Sequence, residues 1–163
     1  MAEQPVETGD RLARVVVAEP PEPVGAFADG ELGLGGGPVG LFLGSLYFEK
    51  RISLDNTIAC ATCHDPAAGW ADPRPVSEGV GGAKGGRNSP TVLNASYNTV
   101  QFWDGRAPSL EAQAGGPLTA AGEMASTPAK VEATVRGIPA YRDAFKKAYG
   151  AEPTFALVTK AIA

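Results

Sequence analysis

The sequence predicts an all-α fold whose short helices are joined by long loops. Apolar residues recur at helical spacing in the last third of the chain, and no stretch alternates apolar and polar residues for long enough to indicate a strand. The 163 residues include 21 glycines and 14 prolines, and the excess lies at 19–40 and 66–90. This distribution is typical of long, Gly/Pro-rich structured loops and not of a bundle with tight turns.

The composition argues against two classes of protein. The formal net charge is −4 and no basic stripe is present, which argues against a nucleic-acid partner. No apolar run approaches the roughly 18 residues that a membrane-spanning helix needs. The amino terminus lacks the charged-then-apolar pattern of a secretory signal, so composition leaves the compartment open.

The first elements are predicted from proline content and apolar spacing. Residues 1–30, with the segment AEPPEPVG, are expected to form an extended or disordered leader, and residues 31–163 the folded domain. A short helix is predicted over 41–51, where apolar residues follow helical spacing. Cap-type residues at 53–56 then precede a helical turn that ends at Asp65–Pro66.

The middle of the chain is predicted to be mostly loop. Residues 66–90 form one long glycine-rich loop, and the chain stays irregular up to Ser109. A short helix follows over 110–114, in a segment that Pro117 is expected to end.

Three helices are predicted near the carboxyl end. The first has Ser126 or Thr127 as its N-cap and stops at Gly137. The second is amphipathic and ends at Gly150. The third begins after Thr154, and its unfinished apolar run suggests that the sequence is cut inside this helix.

The segment CATCH at 60–64 contains both cysteines and the single histidine of the chain. It fits the C-x-x-C-H pattern of c-type haem attachment. Two thiols three residues apart lie on one side of a helical turn, where they reach the two vinyl groups of haem and form thioether bonds. His64, directly after Cys63, then ligates the iron from the same side.

Three other interpretations of this segment are weaker. A thioredoxin-type redox pair requires a strand–helix context, which is missing here, and a zinc site requires a fourth ligand. A buried structural histidine would not need two cysteines at matched spacing. Because no second histidine exists, the sixth iron position is filled by Met124, in principle by Lys84, or by nothing from this chain. A filled position favours electron transfer, whereas an open one allows peroxide to bind.

Most of the chain from about residue 38 resembles the amino-terminal haem domain of the bacterial di-haem cytochrome c peroxidase family, which includes the enzymes that mature methylamine dehydrogenase. The resemblance lies in FEKRISLDNTIACATCHDPAAGWAD, GGRNSPTVLNASYNTVQFWDGRAPSLEAQAGGP, GEMAS and IPAYRDAFKKAYG. It implies a cytochrome c-like fold and reduction of hydrogen peroxide to water, with one haem in each of two domains. This chain has one C-x-x-C-H and therefore resembles the peroxidatic half, with a second haem domain expected beyond it.

The resemblance implies roles for individual residues. His64 is similar to the proximal iron ligand, and the cysteines, Cys60 and Cys63, to the thioether anchors. Trp103 resembles the tryptophan between the two haems, and Asn88 resembles a ligand of a calcium ion held between the domains.

On the opposite side of the iron, Gln113 and Glu123 resemble the distal-pocket pair, and Pro117 a proline packed near that pocket. Peroxide must lose a proton from one oxygen and gain it on the other as the O–O bond breaks, and a carboxylate performs both transfers. Glu123 is therefore the expected acid–base group, and Gln113 is expected to orient the bound oxygen. The position of Met124 next to Glu123 suggests packing and not ligation.

One departure from the family concerns control of the iron. Many relatives have a distal histidine in the loop before RNSPT, whereas SEGVGGAKGGRN has none here. This departure predicts an iron that is five-coordinate and ready to react. The glycines are expected to make the loop mobile enough to gate access to it.

The expected partners are hydrogen peroxide and a small cytochrome or cupredoxin that donates electrons through the second haem domain. The family location is the periplasm, and a homodimer is one assembly considered. Two other functions are kept: a one-haem electron-transfer protein with Met124 as sixth ligand, and a haem-free binding module.

Overall fold

The computed structural model describes residues 38–163, and the expected leader at 1–30 lies outside the described residues. Within this range the chain is helical and contains no strand, only isolated bridges. This confirms the all-α prediction. The described residues form six α-helices, which are α1 (Pro38–Gly44), α2 (Cys60–Cys63), α3 (Leu110–Thr119), α4 (Pro128–Gly137), α5 (Pro139–Tyr149) and α6 (Phe155–Ile162).

The core lies where α1 and α3–α6 pack together. Helix α1 contacts α5 and α6, α3 contacts α6, and α4 contacts both α5 and α6. The apolar faces that the sequence spacing indicated point into this core, whose fully buried members include Leu46, Leu118, Val131, Val135, Phe145 and Val158. None of the helices within 38–163 has the length and hydropathy needed to cross a bilayer.

The carboxyl-terminal helices begin and end as predicted from their caps. The Thr127 side chain accepts a hydrogen bond from the backbone N–H of Lys130, so Thr127 is the N-cap of α4. Thr154 caps α6 in the same way. Gly150 ends α5 with a φ of 66°, a left-handed conformation that glycine adopts without a Cβ clash.

The first helix differs from the prediction. The α-helical part begins at Pro38 and ends at Gly44, and two 3-10 turns, Ser45–Phe48 and Lys50–Ile52, replace the remainder of the helix predicted over 41–51. The break lies at Glu49, whose backbone is extended. Its carboxylate accepts from the backbone N–H of Arg51, and this local bond competes with the helical pattern.

The prediction that Pro117 ends its segment is wrong. Helix α3 continues through Pro117 to Thr119. Proline has no N–H, so one intrahelical bond, the one to the carbonyl of Gln113, is not made, and the helix nevertheless continues. The turn that follows folds back onto α3, since the backbone N–H of Met124 donates to the carbonyl of Pro117 at 3.1 Å.

The predicted loop at 66–90 contains no α-helix, and polar bonds organise it. The Asn88 side chain donates to the carbonyls of Asp72 and Arg74 at 2.8 and 2.7 Å. Arg74 in turn binds both carboxylate oxygens of Asp72, which is buried. These bonds join Asp72, Arg74 and Asn88 to one another, and Arg74 also binds the carbonyl of Thr62 in α2.

Candidate haem site

The C-x-x-C-H segment forms one helical turn with free thiols. Helix α2 consists of Cys60–Cys63 alone, and the N–H of His64 donates to the carbonyl of Cys60 at 3.0 Å. The Thr62 hydroxyl accepts from the N–H of Ala59 and secures the start of the turn. Both cysteines are unpaired and partly buried, so each thiol remains available for a thioether bond.

The ring of His64 is oriented by a backbone carbonyl. Its Nδ1 lies 2.9 Å from the carbonyl oxygen of Pro90, so Nδ1 carries the proton and Nε2 keeps a free lone pair. Burial lowers the pKa of His64, and hydrogen bonds to the carbonyls of Pro90 and Trp70 oppose this shift. A neutral imidazole whose second nitrogen is held in this way is the form that ligates a metal.

The two thiols are not activated as redox or metal-binding thiolates. Burial raises the pKa of Cys60 to about 12, and burial also raises the pKa of Cys63. Reactive cysteines have depressed pKa values, so these environments argue against a redox pair. They suit two cysteines whose sulfurs end in covalent thioether bonds.

A buried hydroxyl beside the thiols also fits a bound haem. The hydroxyl of Tyr47 is buried and has no hydrogen-bond partner among residues 38–163. Burial raises the pKa of Tyr47, and Cys60 and Cys63 are close enough to raise it further. A buried polar atom without a protein partner, next to two unpaired thiols and the Nε2 of His64, fits the surroundings of a bound haem. Cys60, Cys63 and His64 are the residues that would hold haem here.

Glu123 lies in the turn between α3 and α4, directly against the glycine-rich loop. Its carbonyl accepts from the N–H of Val80 at 2.8 Å. Gly79 packs so closely that a Cβ there would lie 2.1 Å from the carbonyl oxygen of Gly122. The Glu123 side chain is largely exposed, yet partial burial raises the pKa of its carboxyl while the charge of Arg106 opposes the increase. A raised carboxyl pKa suits a group that accepts and returns a proton.

Two of the predicted site residues contact each other directly. The indole N–H of Trp103 donates to the carbonyl of Asn88 at 2.9 Å, although the ring is 63% exposed. Because the amide nitrogen of Asn88 donates to two carbonyls, its Oδ1 is left as an acceptor. Within 38–163 no three metal-ligating side chains lie together.

The distal pair is carried by neighbouring elements. Gln113 lies in the middle of α3, partly buried, and Glu123 lies in the turn that folds back onto the end of that helix. Arg106 forms an ion pair with Asp104, and its guanidinium carbon lies 3.5 Å above the ring of Phe102. That ring in turn packs on Gly116 of α3.

The two side chains considered for the sixth iron position are engaged elsewhere. Met124 is 2% exposed and belongs to the hydrophobic core with Leu118 and Val131. Lys84 forms an ion pair with Glu78 across the glycine-rich loop. These contacts support packing for Met124 and argue against the one-haem carrier.

Residues 41–163 match the model of the family described as di-haem cytochrome c peroxidase. The chain belongs to this family. Its resemblance to the family, predicted from the sequence motifs, is thereby confirmed, and a c-type haem is the cofactor that membership implies.

Individual members of the di-haem cytochrome c peroxidase family match closely over part of their length. The cytochrome c551 peroxidase of Pseudomonas aeruginosa is 52% identical over 104 residues, 64% of this chain and 30% of the relative. That of Nitrosomonas europaea is 44% identical over 119 residues, 72% of this chain and 36% of the relative. The methylamine utilization protein MauG of Methylorubrum extorquens is 41% identical, with 66% and 31% covered. The chain thus spans 30–36% of the length of these relatives.

Solved structures agree on the fold. The crystal structure of a MauG-like protein associated with microbial copper homeostasis matches with a TM-score of 0.71 at 30% identity, covering 77% of this chain and 39% of that chain. The predicted cytochrome c-like fold is therefore confirmed.

The sequence analysis missed three residues that shape the site. Pro90 orients His64, Tyr47 places a ring and a hydroxyl beside the thiols, and Asp72 holds Arg74 next to Cys63. Only the last had a local signal, because Asp72 and Arg74 are two residues apart and form a side-chain turn. The contacts of Pro90 and Tyr47 join residues far apart in the sequence, which no local pattern indicates.

Proposed function

We propose that this chain is the peroxide-reducing haem domain of a di-haem peroxidase, which reduces hydrogen peroxide to water with electrons relayed from a second c-type haem. The observation that carries the proposal is the free Nε2 of His64, directly after two unpaired thiols and with Nδ1 held by Pro90. Family membership and the names of the peroxidase relatives support the same conclusion.

Each site residue has a part in binding or proton transfer. Cys60 and Cys63 are the residues that would anchor haem and His64 the residue that would ligate its iron, and bound haem would supply redox chemistry. Glu123 takes a proton from one oxygen of peroxide and returns it to the other, which leaves as water. Gln113 donates a hydrogen bond that orients the bound oxygen.

Electron delivery is proposed to depend on Trp103 and Asn88. The exposed ring of Trp103 is proposed to contact a second haem domain and to carry electrons from it into this domain. Its N–H is fixed by the carbonyl of Asn88, whose free Oδ1 is the proposed calcium ligand. One calcium ion would therefore order the residue that holds the electron-transfer ring.

The glycine-rich loop is proposed to leave the iron ready for peroxide. It contains no histidine, and Val80 of this loop binds the backbone of Glu123. The electron donor is proposed to be a small cytochrome or cupredoxin, and the location the periplasm, where related enzymes have their haem attached. A homodimer remains the proposed assembly.

An absorption spectrum of the haem-loaded chain tests this function. A high-spin ferric spectrum that shifts on addition of cyanide or peroxide is expected, because Met124 is packed in the core and Lys84 is paired with Glu78. A low-spin spectrum with a methionine–iron charge-transfer band would contradict the proposal and assign Met124 to the iron. Mass spectrometry that finds no covalent haem adduct would support a haem-free binding module.

A further inference from the structure

Three aromatic side chains form a continuous cluster on the His64 side of the candidate haem site. The ring of Tyr47 lies 6.2 Å from that of His64 and 5.8 Å from that of Trp70, measured between centroids. Phe48 contacts both Tyr47 and Trp70 at 5.9 and 6.2 Å. We call Tyr47, Phe48 and Trp70 the aromatic cluster. It leads from the iron-facing histidine towards the surface, where Phe48 is 49% exposed.

Trp70 is held in this cluster at a conformational cost. Its φ is +61°, a left-handed conformation that is strained for a bulky side chain. Two backbone bonds enforce it, because Trp70 donates to Asp65 at 2.8 Å and accepts from Val92 at 3.2 Å. The same turn follows directly after His64, so the fold fixes the indole relative to the histidine ring.

The three rings of the aromatic cluster differ in burial and in how easily they are oxidised, and these differences assign a role to each. The ring of Tyr47 lies between those of His64 and Trp70, so we assign it the bridging position. Trp70 is partly exposed, and its indole N–H can release a proton to water. Phe48 is the hardest ring of the three to oxidise.

We infer that Trp70 is an internal electron source for this domain, connected to the haem through Tyr47 and His64, and that it is consumed when peroxide arrives without an external donor. The inference rests on the proposed peroxidase function. Peroxide accepts two electrons and two protons and its O–O bond breaks to give two waters. Trp70 loses two electrons and two protons, and one indole C–H bond is replaced by a C–O bond with oxygen from water. The sum is one peroxide consumed, one oxygen atom gained by Trp70 and one water formed.

The test uses the haem-loaded chain, one equivalent of hydrogen peroxide and no electron donor. Residual peroxide is assayed, and oxygen incorporation at each tryptophan is measured by peptide mass spectrometry. We expect peroxide to be consumed and Trp70 to carry the added oxygen. Peroxide consumed with Trp70 unmodified would overturn this inference and leave the proposed function standing. Peroxide left unconsumed would also overturn this inference, because the chain would then have supplied no electrons, whereas the proposed function is tested separately by the absorption spectrum.

Variants distinguish electron transfer through the aromatic cluster from direct attack of peroxide on an exposed tryptophan. A haem-free chain with Cys60→Ser and Cys63→Ser should show no oxygen at Trp70, and labelling there would overturn the inference. Tyr47→Phe keeps the bridging ring and should retain labelling per peroxide consumed, whereas Tyr47→Leu should lose it.

A second measurement does not depend on the folding of Tyr47→Leu. Samples frozen directly after mixing with peroxide should show a tryptophan radical by electron paramagnetic resonance. The Trp70→Phe variant should lack that signal, and Trp103→Phe should keep it. The reverse assignment would overturn the inference, because Trp103 would then be the sole electron source.

Discussion

Two regions of this molecule are held together by different physics. The helical core of α1 and α3–α6 is closed by apolar side chains, with Leu46 and Phe145 fully buried. The loops at 62–107 and the turn at Glu123, which surround the candidate haem site, rely on polar bonds between side chains and distant carbonyls, such as those of Asn88 and His64. We therefore expect a substitution in the core to lower the free energy of unfolding with little effect on the reaction. We expect a substitution at the site to slow the reaction without unfolding the chain. Mutations in each region test this difference.

The largest expected effect is on the site alone. Glu123→Gln removes the carboxyl that transfers the proton and should slow peroxide cleavage by about 10²–10⁴. The side chain is exposed, so haem content and thermal midpoint should not change. Stopped-flow measurement with peroxide checks the rate, and Glu152→Gln, an exposed carboxylate on the opposite region, serves as the control. An undiminished rate would remove Glu123 from the mechanism.

The core counterpart is Phe145→Ala. This ring is 0% exposed and packs against Tyr149 of the same helix. Truncation should lower the free energy of unfolding by about 3–5 kcal/mol, measured by denaturant unfolding. Phe48→Ala, which truncates a ring that is 49% exposed, should cost clearly less. Equal losses for the two variants would show that the burial of a ring does not set its contribution to the free energy of unfolding.

The variant Gly79→Ala tests whether the backbone at Gly79 positions Glu123. A Cβ at Gly79 would meet the carbonyl oxygens of Gly122 and Glu123 at 2.1 and 2.6 Å, so Gly79→Ala must displace one segment. Misplacement of about 1 Å costs as much as 10² in rate, and we expect a loss in peroxide cleavage of up to that size. In the same loop, Gly86→Ala has open space for its Cβ and should be neutral. A wild-type rate for Gly79→Ala would contradict this positioning role.

The sequence predicted the two regions unequally. The ends of α4 and α6 follow from Thr127 and Thr154, because capping acts within one turn. The haem-attachment motif was equally local. Long-range partners were not predictable: the His64–Pro90 bond joins residues 26 positions apart and the Trp103–Asn88 bond residues 15 apart. The prediction that Pro117 ends its segment was wrong, because a proline removes one backbone bond of a helix and need not end it.

A fourth prediction concerns acid. Hydrogen bonds from Arg74 lower the pKa of the buried Asp72 to about 2. The unfolded-state value is about 3.9, so this carboxylate adds on the order of 2 kcal/mol above that pH, and the contribution disappears as pH falls through about 2. The free energy of unfolding of Asp72→Asn should therefore fall less steeply than that of the wild type as the pH is lowered from about 4 to about 2.

The chain provides a matched control for this experiment. Asp104 and Arg106 repeat the same two-residue spacing, but both side chains are about half exposed, at 46% and 56%. Asp104→Asn should change the profile much less, because exposed ion pairs are screened by solvent. A similar change for both variants would refute the claim that burial of Asp72 makes the difference.

The smallest expected effect distinguishes two adjacent hydroxyls at the border of the regions. Thr127 accepts from the N–H of Lys130, so Thr127→Ala should lower the free energy of unfolding by about 1 kcal/mol. The hydroxyl of Ser126 is buried with no partner among residues 38–163, and Ser126→Ala removes an unsatisfied polar atom. That variant should be neutral or slightly more stable, since a lone buried hydroxyl costs free energy. Denaturant unfolding of both variants measures the difference, and a larger loss for Ser126→Ala would move the helix cap from Thr127 to Ser126.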